Sequence, residues 1–170
     1  TPPTGFQVAL APGGPWFGSL LLAQSGGTVS STNIFVRFAP TALGATAGNV
    51  TNASSGAVTQ NIAVSGNGAG IVTSGGPLAF GSQLVGTTSV AQSYTVEAAG
   101  LTANLDINAP ADFEVALAVG GPYAGNQALV PSGGIVALTT VFVRFAPSAL
   151  GAAAGNVANA STGFATRNVA

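Results

Sequence analysis

The sequence predicts an all-β chain built of tandem antiparallel β-sandwiches. Three observations predict it. Apolar residues alternate with period two, turn signals are dense while a sustained helical period is missing, and one long stretch of sequence occurs twice.

The repeat organises everything else. Residues 1–63 lie over residues 108–170 without a gap, and 37 of the 63 aligned positions are identical. "FQVALAPGGPWFG" lies over "FEVALAVGGPYAG", and "FVRFAPTALGATAGNV" over "FVRFAPSALGAAAGNV". A match of this kind indicates one structural unit used repeatedly. The Gly-rich, small-residue stretch "VSGNGAG" reads as a boundary, with a linker at residues 66–70. The expected organisation is therefore the C-terminal part of one unit over residues 1–65 and a nearly complete second unit over residues 71–170. The opening "TPPTGFQVAL" reads like the interior of a chain, so the expectation is a window on a longer repetitive protein.

Within a unit, "AQSYTVE" (91–97) places Gln92, Tyr94 and Val96 on one side. "FEVAL" (113–117) groups Phe113, Val115 and Leu117 and turns Glu114 outward. "TVFVRF" (140–145) groups Val141, Val143 and Phe145, with Phe142 and Arg144 opposite. These are half-buried strands. Between such segments stand "SGG", "PSGG" and "GGP", where Gly permits positive φ and Pro fixes φ, so the chain reverses. "PTALGATAG" (40–48) and its counterpart "PSALGAAAG" (147–155) are the one helix-like patch; Gly interrupts them, and a loop or single turn is expected. Seven or eight short strands per unit, spaced by turns, describe a sandwich.

Composition excludes several functions. Charged residues make up 4% of the chain, against about 25% in ordinary globular proteins. Three Lys or Arg residues in all, and a net charge of −1, do not supply the basic cluster that nucleic acid or an anionic membrane surface requires. No apolar run is long enough for a membrane helix, so no membrane insertion is expected in this segment. No His or Cys is present, which removes the usual pH switch and any disulfide framework.

Taken together, "PLAFGSQLVGTTSVAQSYTVEAAGL" (77–101), "APADFEVAL" (109–117), "VFVRFAP" (141–147) and "GNVANASTG" (155–163) resemble the Ig-like repeats of large bacterial surface proteins. Those repeats are related to the abnormal-spindle/hydin type of β-sandwich and occur in choice-of-anchor proteins. The resemblance spans residues 71–170 as a nearly whole unit and residues 1–68 in part. It implies an extracellular or cell-surface, tandemly repeated module, structural or adhesive; it does not imply catalysis, and neither enzyme activity nor a cofactor is expected. The low charge departs from the family pattern.

Candidate sites are few. Asp106, Asp112 and Glu114 lie within nine residues and are candidate calcium ligands, since Ca²⁺ takes six to eight oxygens; a solvated turn is the preferred reading of the same acids. Asp112 and Glu114 also invite an acid/base reading, but no nucleophile, His or Lys accompanies them, so no catalytic residue is assigned. Arg37 and Arg144 occupy equivalent strand positions. Arg144 has Glu114 as a partner, whereas the first unit has Gln7 in that place and is expected to lack the pair. Trp16 and Tyr123 each follow "GGP" and are either contact aromatics for carbohydrate or a surface protein, or packing over their own sandwich. The sequons at Asn49, Asn52 and Asn159 are no more numerous than this composition yields by chance.

A surface without Lys lacks the charges that normally guard sheet edges and keep neighbours apart. Self-association into a filament, sheath or array is the expected consequence. An adhesin stalk that binds through its loop aromatics is the alternative.

Overall fold

The computed structural model describes the whole chain, Thr1–Ala170. It is all-β, its paired strands are antiparallel, and it divides into two compact units, Thr1–Gly68 and Ala69–Ala170.

The first unit holds β1 (Phe6–Ala9), β2 (Phe35–Phe38), β3 (Gly44–Asn52) and β4 (Gln60–Gly68). Strands β1 and β2 form one two-stranded sheet, and β3 and β4 form another. Phe6 and Phe38 pack ring against ring with centroids 4.9 Å apart.

The second unit holds β5 (Gly70–Ser74), β6 (Gln92–Ala99), β7 (Leu105–Asn108), β8 (Phe113–Ala116), β9 (Asn126–Leu129), β10 (Ile135–Phe145), β11 (Val157–Ala160) and β12 (Arg167–Val169). They make two four-stranded sheets, ordered β5-β6-β10-β8 and β12-β11-β7-β9. Their inward side chains form one core: Tyr94, Val96, Val141 and Val143 from one sheet, with Leu105, Ile107, Val157 and Val169 from the other. This is the layered arrangement of a β-sandwich, with alternate residues supplying the core.

The expected alternation holds along β6 and the second half of β10, where Tyr94 and Val96, then Val141, Val143 and Phe145, are buried. Strand β8 differs. It stops at Ala116, which is buried, and Leu117 is exposed because the chain turns there, with Gly121 N–H donating to the Ala118 carbonyl.

The chain also departs from expectation at two other places. The 66–70 linker is not a linker over most of its length: Gly66, Asn67 and Gly68 pair with Thr46, Ala45 and Gly44, so β4 runs to Gly68 and only Ala69 separates it from β5. The helix-like patch at 40–48 is part strand, since β3 begins at Gly44; its counterpart at 147–155 is irregular. Positive φ, +94° and +129°, accounts for Gly44 and Gly151, and close packing for the other two glycines. A Cβ on Gly48 would stand 2.7 Å from Pro3, and one on the equivalent Gly155 2.5 Å from Pro110. Gly48 and Gly155 serve close backbone approach rather than breaking a helix.

The repeated sequence does not form the same strands twice. Strand β9 corresponds to residues 19–22 and the first half of β10 to residues 28–34, yet neither segment is a strand in the first unit. In the second unit β9 pairs with β7, and the first half of β10 pairs with β6. The first unit has no strands in those two places, and an extended segment whose N–H and C=O groups find no ladder does not hold strand geometry.

Candidate functional site: two aromatic–arginine stacks and an apolar cleft

A polar side-chain constellation that occurs in both units joins an aromatic, an arginine and an acceptor. In the second unit, β8 and β10 place Glu114 opposite Arg144 on the outer face. Arg144 Nε donates to Glu114 Oε2 at 2.6 Å, and the guanidinium lies 4.1 Å from the centre of the Tyr123 ring. The Tyr123 hydroxyl donates to the Val119 carbonyl at 2.9 Å.

In the first unit, β1 and β2 place Gln7 opposite Arg37. Arg37 Nε donates to Gln7 Oε1 at 2.8 Å, and the guanidinium lies 4.7 Å from the centre of the Trp16 ring. The sequence suggested that the first unit lacks this pair. It lacks the charge pair only, because an amide oxygen accepts from the same guanidinium. Gly14 and Gly121 of the "GGP" turns have φ of +91° and +87°. A Cβ at either would also press on the aromatic ring that follows, 2.7 Å from that of Trp16 and 3.1 Å from that of Tyr123. The motif thus serves the stack: glycine leaves room for the ring to fold back over the arginine.

The three acids do not come together as a metal cluster. Asp106 lies exposed on β7, in register with Ala128 and Ala160. Glu114 is paired with Arg144. Asp112 accepts from Ser148 twice, from the backbone N–H at 2.9 Å and from the hydroxyl at 2.6 Å, and these bonds hold its carboxyl below the usual carboxylate range. Asp112 has φ +64°, and Gly5 holds the equivalent position with φ +81°. The position selects for left-handed backbone, which Asp tolerates and Gly prefers.

The sequons also divide. Asn159 is fully buried between the sheets. Its Oδ1 accepts from the Tyr94 hydroxyl at 2.7 Å, and its Nδ2 donates to the carbonyls of Val157 and Arg167. Asn52, its counterpart, is exposed, and so is Asn49 on β3. Sequence reasoning missed the Tyr94–Asn159 bond. The available signal was Tyr94 itself, an inward-facing phenol that needs a partner.

The second unit also has a cleft of about 370 Å³, lined by Leu78, Phe80, Phe113, Phe145 and Gly155 among others. The rings of Phe80, Phe113 and Phe145 follow one another at 5.6 and 5.0 Å. In the first unit, Gly66 of β4 covers the ring of Phe38, the counterpart of Phe145. No protein-family model, curated protein or solved structure matches the chain.

Proposed function

We propose that the chain is a segment of a long, repetitive extracellular protein. In this reading, Ig-like sandwiches follow one another covalently and associate laterally, through uncharged faces, into a filament or sheath.

The reading rests on the surface. Seventeen large hydrophobic residues are exposed, among them Leu21, Val90 and Leu150, and the chain has only seven charged side chains to intersperse among them. Two of those seven, Arg144 and Glu114, neutralise each other. Such a surface loses little hydration when it meets another like it, and no field of like charge opposes the approach.

The Ig-like part of the reading is supported by strand order. If β5, β6, β7, β8, β10, β11 and β12 are taken as A to G, one sheet runs A-B-E-D and the other G-F-C, the constant-type Ig arrangement, with β9 added beside C. The array part is supported by the repeat and by the recurrence of the aromatic–arginine–acceptor stack in both units.

The competing reading is an adhesin stalk that contacts carbohydrate or protein through Trp16 and Tyr123. Each ring has one face against its own arginine, which leaves less of it to meet a ligand. Electron microscopy of the protein as isolated from its source tests the choice. Laterally ordered filaments or sheets are expected; separate, unassociated stalks would favour adhesion. Raising the salt concentration is expected to leave the assemblies intact, because few charges hold them.

A further inference from the structure

The first unit has an open sheet face, and the second unit carries, on the equivalent strands, what covers such a face. Val36 of β2 is 40% exposed, whereas its counterpart Val143 is 1% exposed. Ile62 of β4 is 59% exposed, whereas Val169 is 4% exposed. Val29 is exposed where Val136 is buried. Asn52 is exposed where Asn159 is buried and bonded to Tyr94. In the second unit β10 lies between β8 and β6; in the first, β2 has β1 on one edge and nothing on the other.

The orientation of the open edge follows from the ladder. Val8 exchanges both backbone hydrogen bonds with Phe17, so its neighbours Gln7 and Ala9 face β2. Their partners Arg37 and Phe35 therefore face β1, and the N–H groups of Ile34, Val36 and Phe38 point to the vacant side.

A second position is already marked. Thr1 N–H donates to the Thr51 carbonyl at 2.7 Å, and Thr51 N–H donates to the Thr1 carbonyl at 2.9 Å. This rung is the counterpart of Asn108 with Ala158, where β7 lies along β11. Thr1 thus sits as the last rung of a β7-like strand, and continuing that strand backwards lays it along Asn52 and Ala53.

We propose, resting on the array reading above, that the open face is the seat of a front half like residues 69–107, joined covalently ahead of Thr1. Its β6-like strand docks on the free edge of β2 in the register of Val143 with Gln92, Phe142 with Ser93 and Val141 with Tyr94. The residues opposite Val36, Phe35 and Ile34 are then a Gln-, a Ser- and a Tyr-like side chain, and the tyrosine hydroxyl donates to Asn52 Oδ1. Main-chain hydrogen bonds supply the attachment, and the Tyr–Asn bond fixes the register.

The test compares the 170-residue chain with one in which residues 69–107 are fused directly ahead of Thr1, reading amide exchange at Ile34 and Val36 by NMR. Fusion is expected to slow exchange at both by about tenfold or more, as an exposed edge becomes a laddered one. Tyr94→Phe in the grafted copy only is expected to give back a large part of that protection. Unchanged exchange in the fused chain, with the second unit's amides still protected, would overturn the proposal; so would a fused chain that aggregates more than the original. Protection by a free 69–107 peptide, without protection in the fused chain, would overturn the covalent source. Failure of the array reading itself shows separately, in the mass of the isolated protein, and does not alter the exchange result.

Discussion

Tyr94 on β6 and Asn159 on β11 join the two sheets of the second unit through a buried hydrogen bond of 2.7 Å. The phenol needs a partner once buried, and the amide oxygen is the acceptor that the opposite sheet supplies. Tyr94→Phe keeps the ring and its packing but leaves Asn159 Oδ1 without this donor. The expected cost is about 1–3 kcal/mol in the denaturant unfolding of the second unit, with an unchanged slope. A cost near zero would mean that the bond adds nothing beyond the ring.

The same tyrosine predicts an alkaline limit. Burial pushes its ionisation above the ordinary value of 10.0. The unfolded chain therefore releases its proton first as pH rises. Stability from the neutral phenol is fully present below pH 10 and falls above it. Tyr94→Phe is expected to flatten the decline between pH 10 and 11 seen in pH-dependent unfolding of the 170-residue chain.

Asp112 predicts an effect at the acid end. Its carboxyl is held below the usual range by Ser148, so the contribution is present above the ordinary carboxylate pKa and is lost as pH falls through the lowered one. Asp112→Gly installs the residue that the first unit uses at this left-handed position, and Asp112→Val places a branched side chain there. Val is expected to destabilise more than Gly at pH 7. The deficit of the Gly variant relative to the parent is expected to shrink below about pH 4, as the parent loses its Ser148 bonds.

The stack in the first unit has a built-in reporter, since Trp16 is the single tryptophan. Arg37→Ala uncovers one face of the ring. Its fluorescence emission is expected to move to longer wavelength while far-UV circular dichroism stays unchanged, with a stability loss of about 0.5–1 kcal/mol, the usual worth of an exposed cation–π contact. Arg144→Ala is expected to leave the Trp16 emission where it was.

Much of this was legible in the sequence for a physical reason: period-two burial writes itself into residue order. Alternation alone grouped Tyr94 with Val96, and Val141 with Val143, on one face of their strands, and all four are buried. The stacks were half legible. Trp16 with Arg37, and Tyr123 with Arg144, share one 21-residue spacing, but the two residues of each pair meet only after the "GGP" turn folds back. Boundaries were the least legible. "VSGNG" is small and Gly-rich like a linker, yet it is strand, because Gly66 must lie against the ring of Phe38, a residue 28 positions earlier. Residues 19–22 and 28–34 could not be assigned from their own composition at all, because a strand without a neighbour to pair with is not one.

The central claim is that these units belong to one long covalent array. The most direct measurement is the mass of the isolated protein under fully denaturing conditions. The array account predicts a polypeptide many times heavier than the 16.3 kDa of this chain. A single species at 16.3 kDa would contradict it.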